Sequence, residues 1–159
     1  MDVFYYWKDY KQDQQAGRIG YFKSSRDKLD VLSAGAPDNI WVFKTPPGHK
    51  GQVQLLARLR WSDHAVRPVP KEPGVVFIHY DPAAPMSVRY LNSDTPEAIA
   101  AATTWVRRHF PSMIRGNFQG QSGQECLRGP LLHELEKLAA TFDAEPFLVP
   151  AAAPAAVPS

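Results

Sequence analysis

Apolar and polar residues alternate through much of residues 1–91 and recur at helical spacing after that, so the chain reads as strands first and helices later. Asp2–Trp7 (DVFYYW) is largely aromatic and predicts a first strand. Gly17–Phe22 (GRIGYF) predicts a second, its glycines marking a bulge or a close backbone approach. Ser25 is placed to cap a short helix whose buried positions are Leu29 and Leu32. The turn chemistry of residues 35–39 (GAPDN) introduces a strand at Asn39–Lys44 (NIWVFK), which Thr45-Pro46-Pro47-Gly48-His49 must break. Gly51–Trp61 alternates, with Val53, Leu55, Ala57, Leu59 and Trp61 on one face and Gln52, Gln54, Leu56, Arg58 and Arg60 on the other. Both arginines are therefore expected to face away from the core. A proline-rich connection, Arg67–Pro73, leads to Gly74–Tyr80 (GVVFIHY), an unbroken apolar run that predicts burial on both faces. Ser87–Leu91 is a weaker sixth strand.

Two helices follow. Asp94-Thr95-Pro96-Glu97 combines a cap, a first-turn proline and an acidic first turn, and the helix should run to Phe110, with Ile99, Ala102, Val106 and Phe110 as its apolar stripe. Leu131, Leu135, Leu138 and Phe142 give Pro130–Phe142 the same 3.6-residue period. Residues 115–129 between them are polar and glycine-punctuated, a loop by pattern. The expectation is an α+β protein: a small, mostly antiparallel barrel of five or six strands with a short internal helix, buttressed by two C-terminal helices. One domain over 1–149 is expected, barrel in 1–91 and helical buttress in 92–149, followed by a disordered Ala/Pro tail at 150–159.

Composition narrows the classes. The 159 residues are 44% hydrophobic and 21% charged, which excludes a mostly disordered chain, a collagen or a coiled coil. No apolar run approaches the ~20 residues of a membrane span, and the N-terminus lacks a signal-peptide pattern. Cys126 is the sole cysteine, so neither an internal disulfide nor a thiolate metal site is expected, and the expected compartment is the cytoplasm. The five histidines are not paired at metal-ligand spacing, and neither a metal nor a cofactor is expected. Net charge is only +2, but residues 1–70 hold 11 Lys and Arg against 7 Asp and Glu, and 71–159 hold 7 against 9. Ten of the 18 aromatics also precede residue 71. A positive, aromatic-rich half suits a polyanion with stackable bases, and equally suits a β-rich half that is simply rich in aromatics.

No phosphate loop, dinucleotide fingerprint, zinc-protease helix or nucleophile elbow is present. The serine at 122 lies in a polar loop without a base, and Asp63-His64 point apart on an extended segment. What stands out is Tyr5-Tyr6-Trp7, then Gly20-Tyr21-Phe22-Lys23-Ser24-Ser25, then Trp41. Alternation sends Tyr5 and Trp7 to one face and Tyr6 to the other. Exposed aromatics beside Lys23, Arg26 and Lys28 offer a stacking surface, and serines opening a helix offer free N–H groups to a phosphate or a base edge. The plainer reading is that these rings fill a barrel and the lysines are solvated.

In this order of elements — aromatic first strand, Phe-Lys-Ser loop into a short helix, turn-introduced strand with Trp41, long strand rich in Leu and Arg — residues 1–91 resemble the PUA-like superfamily, which includes the PUA, ASCH, EVE and YTH domains. The resemblance implies a small barrel with a pocket for a flipped, often methylated base near Lys23, Ser24, Ser25, Trp7 and Trp41. Here the turn before the third strand, Gly35-Ala36-Pro37-Asp38, carries an insertion, and no three-aromatic cage is assigned. The expected function is non-catalytic binding of RNA or DNA. Tyr6, Trp7 and Trp41 would stack on a base, Lys23, Ser24 and Ser25 would hold its edge, and Arg26, Arg58 and Arg60 would meet phosphate. Two alternatives stand beside it: a small ASCH-like nuclease or hydrolase using Lys23, and a protein-interaction module.

Overall fold

The aromatic first run forms β1 (Asp2–Tyr6), which lies parallel to β3 (Asn39–Lys44) with Val3 opposite Ile40 and Tyr6 opposite Phe43. Two parallel neighbours need a crossover. Here it consists of α1 (Tyr10–Gln15), β2 (Tyr21–Ser24) and α2 (Arg26–Ala34). The chain continues through β4 (Gln54–Ser62), β5 (Val76–Asp81), β6 (Val88–Tyr90), α3 (Pro96–His109), α4 (Pro111–Arg115), β7 (Gln124–Leu127), α5 (Gly129–Ala139) and β8 (Ala144–Pro146). A computed structural model describes residues 1–116, 118 and 123–148, so the tail expected at 150–159 lies outside the described residues.

Strand order is β2-β5-β4-β3-β1-β7, with β6 beside β4 and β8 beside β6. The sheet is thus mixed and eight-stranded among the described residues, and it curls into a half-barrel rather than a five- or six-stranded, mostly antiparallel barrel. The two extra strands, β7 and β8, are short and polar or proline-bearing, so periodicity could not announce them. The ends of the sheet, β2 and β7, are not paired to each other. Side chains span that seam: Ser24 Oγ donates to Gln124 Oε1 (2.8 Å), and Lys28 Nζ lies 3.9 Å from Glu125 Oε1.

Both faces of the central strands are buried, each by a different core. Inside the curl, Val3, Trp7, Ile40, Val42, Leu59 and Tyr80 pack with Leu32 of α2. Outside it, Phe4, Trp41, Phe43 and Leu55 meet Ala102, Trp105 and Val106 of α3 and Leu135 of α5. That second core comes from the helical stripes. Thr95 Oγ1 caps α3 by accepting from Ala98 N, Pro96 opens it, and Pro111 follows its end. Ser25 caps α2 as expected, its Oγ accepting from Lys28 N.

Three local expectations are corrected. Strand β2 begins at Tyr21, because residues 16–20 form the turn that follows α1, with Gly17 at φ +73° and Gly20 at φ +104°. Strand β4 carries a bulge at Leu56: Ala57 stands opposite Val42 but Leu55 opposite Phe43. The bulge shifts the phase, so Val53 and Leu55 face the outer core while Leu56, Ala57, Leu59 and Trp61 face the inner one. Arg58 and Arg60 do point away from the inner core, as parity required. Strand β5 buries one face only: Ile78 and Tyr80 are inside, and Phe77 and His79 are half-exposed on the other face. Partial burial there pushes the His79 imidazole below its usual range.

Candidate functional site

Strand β1 ends between two others, and its last residues divide a cleft. Tyr5 and Tyr6 are successive, so one ring goes to each face of the sheet. Tyr5 lies flat on Phe22 of β2, ring centroids 4.1 Å apart and planes 14° apart. Its hydroxyl donates to Lys23 O (3.3 Å). Tyr6 lies flat on Phe118, centroids 4.5 Å apart and planes 8° apart, and its hydroxyl accepts from Thr45 N (3.1 Å). A phenylalanine therefore covers one face of each ring and fixes its plane. Lys8 follows two residues after Tyr6, with its carbonyl held by Lys44 Nζ (2.8 Å).

Around this divider lie two lobes that share Tyr5, Tyr6 and Lys8. The larger, about 820 Å³, is completed by Thr45, Pro46, Pro47, Gly48, Lys50, Phe118, Gly123 and Gln124. The smaller, about 440 Å³, reaches past Trp7 to Tyr21, Lys23, Pro70 and Glu72. The loop bearing Phe118 approaches closely because position 123 is glycine: a Cβ there would stand 3.2 Å from that of Tyr6 and 3.1 Å from Phe118 O. Phe118 itself takes φ +56°, a left-handed conformation that a bulky residue adopts only under constraint.

The two lobes differ electrostatically. Lys8 and Lys50 line the larger with no carboxylate among its lining residues, and neither ammonium has an acidic partner among the described residues. In the smaller lobe the charges are matched. Arg18 Nε is 2.8 Å from Asp13 Oδ1, Lys23 Nζ is 3.1 Å from Glu72 Oε2, and Asp9 lines the lobe together with Lys8. Burial, and then Asp13 and Asp9, push the Tyr5 phenol far above its usual range, so it stays protonated and acts as a donor.

The residues expected at the site separate into three groups. Tyr6, Trp7 and Lys23 line the cleft, and Ser24 reaches its edge by donating to Gln124. Trp7, however, is only 2% exposed, with Nε1 donating to Asp13 Oδ2 (2.7 Å) and its ring packed edge-on against Tyr10 and Phe22. It supports the wall rather than offering a free face. Ser25 Oγ is engaged in capping α2, and Arg26 is exposed on that helix. Trp41 is elsewhere and 1% exposed: its Nε1 donates to the buried Asp2 Oδ2 (2.7 Å), and the Arg58 guanidinium lies 5.8 Å from its ring. That face is covered by α3 and α5, and Trp41 borders a separate cavity of about 280 Å³ with Arg58, Val88, Tyr90 and Glu136, which shares no lining residue with the cleft. Arg58 also donates to Met86 O, and Arg60 lies 3.6 Å from Asp38 Oδ1, both far along β4 from the end of β3 that meets the cleft.

Sequence reasoning missed Lys8, Lys50, Phe118, Gln124 and the Thr45–Gly48 turn. The turn was legible only as a strand breaker. The loop carried one signal, an aromatic among glycines and amides at 116–124. Among the described residues no helix is long and apolar enough to cross a membrane, and no cluster of three metal-ligating side chains occurs. Comparisons with known proteins find no matching family model, no matching curated protein and no matching solved structure.

Proposed function

We propose that the chain binds nucleic acid without cleaving it, with an unpaired base entering the cleft at Tyr5 and Tyr6. One observation carries this reading: a cleft floored by two preorganised tyrosines has in its larger lobe two lysines, Lys8 and Lys50, with no acidic partner and no lining carboxylate among the described residues. Flat rings supply sequence-tolerant stacking and ammonium groups meet phosphate, the combination that single-strand binding requires. Thr45 and Gln124 add polar groups for a base edge. Within this reading the curled sheet is a PUA-like barrel. Its support is the placement of the aromatic β1, the Ser25-capped helix and the Leu/Arg-rich β4 in the order that family uses. The base site, however, moves from Trp41 to the end of β1.

Fluorescence anisotropy with single-stranded RNA and DNA oligonucleotides tests the proposal. Affinity should fall as salt rises, and Lys50→Ala should weaken all sequences alike and lower the salt slope by about one. Binding weaker than about 0.1 mM at physiological salt, the floor of ordinary non-specific association, would refute it. Cleavage of the oligonucleotide by purified protein would favour the hydrolase alternative instead.

A further inference from the structure

The two lobes share part of their lining, and the shared residues have a definite order. Tyr5, Tyr6 and Lys8 lie in both linings, whereas Phe118, which backs Tyr6, lines only the larger lobe and Phe22, which backs Tyr5, only the smaller. Each lobe has a volume in the range that encloses one small ligand, about 820 and 440 Å³. Each also has its own phenylalanine, backing one of the two tyrosines. A single base would fill one lobe and leave the other empty. Lys8, shared by both lobes, makes no ion pair with a carboxylate among the described residues; in the smaller lobe Arg18 pairs with Asp13, Lys23 with Glu72, and Asp9 is the carboxylate left to offset it. The surplus positive charge is therefore that of Lys8 and Lys50 on the larger lobe, with Lys8 at the boundary between the two. The arrangement calls for a ligand with two planar units and an anion between them.

Resting on the reading above, we propose that the cleft takes two successive nucleotides of a single strand, one base per lobe, with the linking phosphate at Lys8. The ligand is then an unpaired polynucleotide rather than a free nucleotide or a duplex. A duplex keeps both faces of each base stacked and its edges paired, so neither ring could enter a lobe.

Calorimetric titration of the full chain with adenosine monophosphate, the dinucleotide ApA, the trinucleotide ApApA and a blunt duplex tests this directly. ApA carries less negative charge than the mononucleotide, so tighter binding of ApA cannot come from bulk electrostatics. The second stacked base should improve affinity roughly 5- to 150-fold over the mononucleotide, and the third should add much less. Lys8→Ala, an exposed position that should not disturb folding, should lower the ratio of ApA to mononucleotide affinity by the loss of the linking-phosphate contact. Equal affinity for the mononucleotide and ApA would overturn the two-nucleotide proposal and leave the binding function standing. Duplex binding as tight as ApApA would overturn it as well. No binding of any of these ligands would refute both.

Discussion

Trp7 and Trp41 show how much of a side chain's fate rests on one polar atom. Each indole N–H finds a carboxylate 2.7 Å away, Asp13 for Trp7 and Asp2 for Trp41, and each ring can then be almost completely buried. Asp2 is itself buried, and its second oxygen accepts from Asn39 N (3.2 Å), so removing Trp41 would empty a core position and strip a partner from a buried charge. Trp41→Ala should therefore cost at least the ~3–5 kcal/mol of a large core truncation, while any folded fraction keeps its oligonucleotide affinity. Urea unfolding and anisotropy on that one variant check both parts; a stable variant that no longer binds would return Trp41 to the site. Alternation correctly put Trp41 and Phe43 opposite Ile40 and Val42. It could not reveal that a second layer covers the outer face, because burial there is decided by helices more than fifty residues away.

At the scale of elements, local signals were read well where one residue type has one physical job. The Ser25 and Thr95 caps fall where hydroxyls followed by helical periods placed them, and Asn39–Lys44 matches its strand residue for residue. The misses share a cause: α1, β7 and β8 are three to six residues long and have few apolar positions, so they exist only because a neighbour pairs with or covers them. The bulge in β4 is different, since one extra residue inside an alternating run is invisible without the partner strand. It lets a single strand feed both cores. Deleting Leu56 would join Leu55 directly to Ala57 and keep Val53 and Leu55 on the outer core, at the loss of one buried leucine from the inner core. Its cost in chemical denaturation should be several times that of Ser25→Ala, for which about 1 kcal/mol is expected from the lost cap. Equal costs would mean that the Leu56 side chain adds little to the inner core.

For the molecule as a whole, closure was the least legible property. Sequence periods describe each strand's two faces and carry no information on whether the first and last strands of a sheet meet. Here β2 and β7 approach without a backbone ladder and are tied by Ser24 with Gln124 and by Lys28 with Glu125. The cleft lies beside that seam, since Gln124 belongs to both. Central strands pair along both edges and outer ones along one, so local opening should begin at the seam. Native-state hydrogen exchange should find the amides of β3 and β4 slowest and those of β2, β7 and β8 fastest. Uniform protection across the sheet would show that the seam opens only with global unfolding. The site was half legible for the same reason: Tyr6, Trp7 and Lys23 lie in strands with readable faces or just beyond them, whereas Lys50, Phe118 and Gln124 arrive from segments whose positions only the closed shape determines.

The placement of adjacent tyrosines on opposite faces of the sheet sets a rule for how this protein can diverge. Substitutions in β1 can adjust one stacked pair at a time, because Tyr5 and Tyr6 answer to separate phenylalanines. Insertions and deletions cannot. A one-residue shift of β1 against β3 would exchange the two rings, carry Val3 out of one core and Phe4 out of the other, and move Lys8 off the junction. Among descendants of this sequence, β1 should therefore vary in composition far more readily than in length.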